Sequence, residues 1–208
     1  MNNETPIGSA GASDGRGHPG GSPREQSPLQ ARAAFLKNRS WELVVGLNRG
    51  ACARGGAQHG QNSESYGALE TEWRCRQGEI TTLAETLEFL RQCHRRAPFL
   101  FFNGNTFADV GRTVADFIFA DLPTSRRREV MSVVAHCIAG VLPWEAMASS
   151  LESLCQSAEL KAGDRVKTLR GSTRGVVLRV LDDGRVAWRP DGSDSELMAL
   201  PESLLLEG

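Results

Sequence analysis

From about Glu70 onward the apolar residues of the chain fall at helical steps, and from about Leu160 onward they alternate with polar ones. In the first stretch Ile80, Leu83, Leu87, Leu90 and His94 follow at steps of three and four, which puts them on one helix face, with Thr81 or Thr82 placed to open it. Pro98 interrupts, the apolar run of APFLFF ends in an Asn-Gly turn, and Thr106 stands where it can cap a second helix. That helix carries Phe107, Val110, Val114, Phe117 and Ile118 on one side, with Gly111 where a close helix contact can form. Leu122-Pro123-Thr124-Ser125 announces a third helix, striped by Val130, Val133, Val134, Cys137, Ile138 and Val141 and ending near Gly140. Pro143 suits the first turn of a fourth, striped by Trp144, Met147, Leu151, Leu154 and Cys155. Four amphipathic helices over residues 70–159 predict a helical bundle, because each has one face to bury against the others.

Beyond Leu160 the period is two. Strands are predicted at Arg165 to Leu169, Gly175 to Leu181, Arg185 to Arg189, Glu196 to Leu200 and Leu204 to Leu206, with Asp183-Gly184 as a hairpin turn. Five short strands over residues 160–208 describe a small β-barrel, since closing a sheet removes its exposed edges. Residues 1–34 carry Gly8, Gly11, Gly15, Gly17, Gly20 and Gly21 with almost nothing large to bury, and read as a disordered tail. Ala31 to Val45 has some helix or strand potential with Ser40 as a candidate N-cap. The glycine-rich stretch after it makes residues 35–69 a poorly ordered linker with little regular structure. The expected fold class is α+β: a small helical bundle, then a five-stranded barrel, behind a disordered N-terminus.

Composition agrees with a partly unpacked chain, at 40% hydrophobic residues with 22 glycines and 9 prolines in 208 residues. The formal net charge of -1 gives no overall pull toward nucleic acid or anionic lipid, so any electrostatic binding has to come from local patches. The start, MNNETPIGSAGASDG, has neither a basic nor an apolar leader region, and no run approaches the length of a membrane helix. With five scattered cysteines and no CxxC pair, the expectation is a cytoplasmic protein with reduced thiols and no membrane partner.

The stretch GDRVKTLRGSTRGVVLRVLDDGRVAWRPDG resembles the SH3-like barrels of the KOW and Tudor type, through Gly163-Asp164, Val166, Gly171, Gly175, Val177, Val180, the Asp182-Asp183-Gly184 turn and Val186. Such barrels recur in transcription and translation factors and as accessory modules of bacterial proteins. The resemblance covers residues 160–208 alone, and it implies the barrel fold more than any ligand. Gly175 runs straight into Val176, where the KOW pattern has a further basic stretch and a third glycine.

Candidate chemistry is sparse. RGSTRGVV has no lysine and leads into a strand, so it lacks what a P-loop needs to hold a nucleotide. The plainer role for Gly171 and Gly175 is to supply positive φ at a barrel corner. Cys93-His94 and His136-Cys137 are conceivable metal ligands or a thiolate pair, but adjacent helix residues point about 100° apart and the spacing matches no zinc pattern. No catalytic, cofactor or metal residue is assigned.

Charge is more informative. From Lys161 to Pro190 eight basic residues face three acids, and from Asp191 to Gly208 there are five acids and no base. The candidate binding residues are therefore Lys167, Arg170, Arg174 and Arg179, with Trp188 as a stacking platform. Arg126, Arg127 and Arg128 join them, because cations at a helix N-terminus oppose its dipole and call for a compensating partner. The functional expectation is a non-catalytic binding protein, an adaptor or accessory subunit of a larger bacterial assembly that takes a protein partner. The alternative is a factor that binds RNA or DNA through the basic face of the barrel and the Arg126 to Arg128 cluster.

Overall fold

The computed structural model describes residues 27–30, 36, 39–156 and 159–207. Most of the expected tail, residues 1–26 and 31–34, lies outside the described residues. Its described part is not loose: Pro28–Gln30 forms a single 3-10 turn, and Leu29 packs against the helical core.

Six helices come first: α1 (Trp41–Arg54), α2 (Tyr66–Arg76), α3 (Leu83–Arg96), α4 (Asn103–Ile118), α5 (Thr124–Ile138) and α6 (Trp144–Cys155). Helix α1 and the first turn of α2 lie in the stretch 35–69, where a linker with little regular structure was expected. Ser40 caps α1 by accepting from the Leu43 amide, and the buried face runs Trp41, Val44, Val45, Asn48, Ala51 and Cys52. An asparagine and four small or β-branched residues on that face weaken its apolar period, while Gly46 sits in open space on the outer side. In α2 two large residues, Leu69 and Trp73, are enough to anchor the helix, and both are fully buried. Trp41, Trp73, Tyr66, Phe99, Phe89 and Phe107 form a continuous aromatic nucleus, with ring centroids 5.5 to 6.5 Å apart. Without α1 and α2 that nucleus would be open to water.

Local chemistry explains the α3 boundary. Thr82 and Glu85 make a reciprocal capping box, with Glu85 Oε2 accepting from the Thr81 and Thr82 amides at 2.9 and 3.0 Å. Those amides hold the Glu85 carboxyl below its ordinary range. In α4 the expected cap is displaced. The helix begins at Asn103 behind Phe102, and Thr106 is buried one turn inside, its hydroxyl donating to Phe102 O at 2.8 Å. The α4 stripe also ends early, because Phe117 is 68% exposed, and Val141 is turned outward after Gly140 takes positive φ.

Five antiparallel strands follow: β1 (Arg165–Thr168), β2 (Arg174–Val180), β3 (Val186–Pro190), β4 (Leu197–Ala199) and β5 (Leu204–Leu206). Their spatial order is β4-β3-β2-β1-β5, with a bulge in β2 between Val177 and Arg179. The sheet is not closed into a barrel, since β4 and β5 lie at opposite ends of the order. At three residues each they reach about 10 Å, too short to wrap round and pair. Val166, Val177, Val186, Trp188 and Leu204 form a small core of their own, whereas Leu205 belongs to the helical core and ties the two parts together.

The two glycines of the RGSTRG loop do different work. Gly171 takes φ +68°, as a tight turn requires, but Gly175 is needed for space: a Cβ there would stand 2.1 Å from Arg189 O and 2.9 Å from Pro190 Cα. Gly111 is the helical counterpart, where a Cβ would meet Ile138 Cδ1 at 2.1 Å across the α4–α5 contact. The obstacles differ in softness. A side-chain methyl can swing away and alanine regains about 1 kcal/mol of helix propensity, so Gly111→Ala is expected to cost at most about 1 kcal/mol. Gly175→Ala meets main chain that cannot yield, and is expected to cost about 3 kcal/mol, read as the larger drop in thermal midpoint of the two.

Candidate functional site at the helix–sheet junction

Arg126 opens α5 and its side chain turns inward, leaving the residue 9% exposed. Its guanidinium donates to Gln156 O at 2.6 Å and, more distantly, to Leu154 O at 3.5 Å, both at the C-terminal end of α6. It also donates to Leu204 O at 3.1 Å and Glu202 O at 3.3 Å, in β5 and the turn before it. Burial lowers its pKa from the ordinary arginine value, with nearby Glu202 opposing the shift. Arg126 is thus a clamp between helices and sheet, and it does not present its charge to a ligand.

The other expected binding residues separate into four groups. Trp188 is 4% exposed in the sheet core and offers no stacking face. Arg127 pairs with Asp116 at 3.2 Å, Arg174 with Glu207 at 3.1 Å and Arg179 with Glu196 at 3.1 Å. Arg165 joins Asp191 through two 2.7 Å hydrogen bonds, and Arg185 pairs with Asp183 at 2.7 Å. Three arginines of the basic half of the C-terminal sequence are thus paired in space with acids of the acidic half, and Arg185 with an acid of its own half. That removes the continuous positive face. Arg128 is exposed and has no ion pair among the described residues.

Lys167 and Arg170 remain, and the structure brings them together. They border a groove of about 520 Å³ between α5, α6 and the β1–β2 corner. Its floor is apolar, formed by Val133, Leu142, Leu154, Leu169 and Leu205, and its walls carry His136 and the hydroxyls of Ser132, Ser149, Ser150 and Ser153. One carboxylate lines it, Glu129, 3.4 Å from Arg170. A ligand there would meet an apolar floor and a cationic rim. The serine contribution was not evident in the sequence. Ser149, Ser150 and Ser153 simply look like the polar face of α6, and only the docked sheet turns that face into a wall.

A second groove of about 590 Å³ lies between α3 and the start of α6. Its aromatic faces are already covered by the chain's own cations, Arg76 over Phe89 at 5.4 Å and Arg91 over Trp144 at 5.5 Å. Its Glu88 is engaged by Arg91 and Arg95.

Sequence also gives little sign of the Asn48 network. Asn48 Nδ2 donates to Phe101 O at 2.8 Å and Thr106 Oγ1 at 2.9 Å, while its Oδ1 meets His59 Nδ1 at 2.8 Å. Burial lowers the His59 pKa, helped by the charge of Arg49. These bonds hold the 97–103 segment, where Ala97 and Phe102 have φ of 47° and 57° and where Leu100 and Phe101 face solvent at 58% and 50%.

The Cys/His candidates do not assemble. Cys93 and Cys137 are buried and burial raises both thiols, while His136 faces the groove and His94 packs near Gly104. Among the described residues no three of His, Cys, Asp or Glu stand close enough to share a metal ion. No helix among them is long and apolar enough to cross a membrane. No protein-family model, no curated protein and no solved structure matches the chain.

Two outcomes are expected from this geometry. Arg126→Ala leaves Gln156 O, Leu204 O and Glu202 O without their donor and should lower unfolding stability by about 3 kcal/mol or more, while Arg127→Ala, which breaks one partly exposed pair, should cost under about 1 kcal/mol. Urea titrations of the two variants measure the contrast. In a timed thiol-labelling assay on native protein Cys75, the exposed cysteine, should react first, and Cys155, whose pKa burial raises to about 11, should lag well behind it.

Proposed function

We propose that the chain is a non-catalytic binding protein, an adaptor or accessory subunit that takes a protein partner through its helical region and sheet. The observation that carries this reading is the junction groove, whose apolar floor and cationic rim come from both parts and whose shape is held by Arg126. Exposed apolar side chains at Leu100 and Phe101, and at Leu197, Met198 and Leu200 around β4, are further support, because contact surfaces of this kind suit protein partners. For the sheet itself the finer assignment is an SH3-like arrangement. It is supported by the β4-β3-β2-β1-β5 order and by the 3-10 turn at Pro201–Ser203 between β4 and β5. A cytoplasmic setting is supported by five cysteines that are all free.

The second reading, a factor that binds RNA or DNA, is favoured by Arg128 and by the cationic rim of the groove. The two readings separate in one experiment. Tagged full-length chain is recovered from its host with and without nuclease, and the purified chain is titrated with RNA and DNA at about 50 mM salt. A stoichiometric protein partner that survives nuclease is the expected result. Capture that disappears with nuclease, together with salt-sensitive binding to the purified nucleic acid, would establish the alternative instead.

A further inference from the structure

We infer that the junction groove receives a short acidic amphipathic segment of a partner protein, its apolar side chains on the floor and its carboxylates on the Lys167 and Arg170 rim. This rests on the proposed binding role and specifies the chemistry of the partner. Three observations lead to it.

The first is charge. Two cations and His136 line the groove against the single carboxylate of Glu129, and Lys167 has no ion pair among the described residues. Arg170 does have one, but its side chain is 79% exposed and reaches Glu129 only at 3.4 Å, a contact of the weak, solvent-screened kind. An incoming carboxylate can therefore recruit both cations at little cost. Hydroxyls from Ser149 and Ser153 on the facing wall add donors, which a carboxylate can accept.

The second is apolar surface. Val133, Leu142, Leu154, Leu169 and Leu205 make a floor that a purely ionic ligand would leave unused, so the occupant has to carry aliphatic or aromatic groups beside its charges. A nucleic-acid backbone does not combine those properties. It would also need cations continuing beyond the groove, and of those Arg165, Arg174, Arg179 and Arg185 are each held by a carboxylate, which leaves Arg128, Lys161 and Arg189 as scattered single charges.

The third is size and source. A volume of about 520 Å³ holds a few side chains and no more. The chain's own first residues do not fit the description: residues 1–26 carry three acids, Glu4, Asp14 and Glu25, against two arginines, with Ile7 the lone branched aliphatic residue. The occupant is thus assigned to another protein.

Fluorescence anisotropy on the full-length chain tests this with a labelled short peptide that alternates leucine and glutamate, and with its twin in which every glutamate is glutamine. The acidic peptide should bind and the glutamine twin should bind at least about tenfold more weakly. Lys167→Glu should weaken the acidic peptide by about tenfold or more. Glu129→Gln, which releases Arg170 from its own partner, should tighten it, a gain that a merely structural role for Glu129 would not produce. Arg185→Glu, away from the groove, serves as the control for a general charge effect and should leave affinity unchanged. Equal binding of the two peptides, no binding of either, or an acidic-peptide affinity indifferent to Lys167→Glu would overturn the assignment. So would displacement of the peptide by a single-stranded oligonucleotide at lower concentration than by unlabelled peptide. The underlying binding role is tested separately: a nuclease-resistant partner still captured by the Lys167→Glu/Arg170→Glu variant leaves that role intact and places its contact elsewhere, whereas failure of the unaltered chain to capture any nuclease-resistant partner would overturn it.

Discussion

Arg126 donates from one guanidinium to carbonyls at the end of α6, in the turn before β5, and in β5 itself. Few other side chains could do this. The fork of five N–H donors is planar and fixed, so several acceptors can be held at defined angles, whereas a lysine ammonium would have to choose among them. The carbonyls at the end of α6 are those that a helix leaves without internal partners, and a cation there also meets the negative end of the helix dipole. At the N-terminus of its own helix the same charge is unfavourable. The dipole conflict noted for Arg126 is real, then, and it is compensated by a second helix of the same chain rather than by a ligand. The orientation of the sheet on the helices, and with it the groove, follows from this contact and from Leu205 beneath it.

How far the sequence could be read depended on whether the decisive signal was local. The strands were legible to within about a residue because alternation is a property of neighbours, and Thr82 with Glu85 marked a helix start by spacing alone. The α4 boundary was not, since Asn103 bonds back to both main-chain groups of Phe99 at 3.0 and 2.7 Å and so starts the helix before Thr106. Helix α1 was hidden by composition: Asn48 is polar yet fully buried, and Gly46, one of the glycines that suggested a linker, lies on its outer side. Barrel closure failed for a metric reason, the length of two edge strands. The site was legible in part. Lys167 and Arg170 were found from charge, but Arg174 and Arg179 could not be told from them, because which arginine meets a carboxylate is settled by cross-strand register and by the return of the acidic tail alongside β1. Trp188 shows the same limit. Its alternation fitted either face of β3, and the core took it.

The helical core and the exposed segment after Pro98 depend on one another. Phe99 stacks on Trp41 at 6.0 Å inside the aromatic nucleus, while the next two residues, Leu100 and Phe101, are turned outward. Two non-glycine residues with positive φ flank the turn, a conformation that is held only where surrounding contacts over-determine it. Here Asn62 Nδ2 and Ser65 Oγ both donate to Ala97 O, Asn48 donates to Phe101 O, and the Phe102 ring fills the space over Gly55. The polar residues of the supposed linker are thus the frame that keeps two large apolar side chains in water.

The open sheet has two ends that are not equivalent. At β5 the outward carbonyl of Leu204 is already taken by Arg126, and α6 stands alongside. At β4 the outer edge meets no other strand among the described residues, and Leu197, Met198 and Leu200 flank it in water. Extension of the sheet therefore has a direction. A strand supplied from outside would meet less in its way at β4 than at β5, where Arg126 and α6 stand. The same arginine that orients the two halves of the molecule thus also occupies a main-chain acceptor at one end of its sheet, which makes the two ends unequal as sites of strand addition.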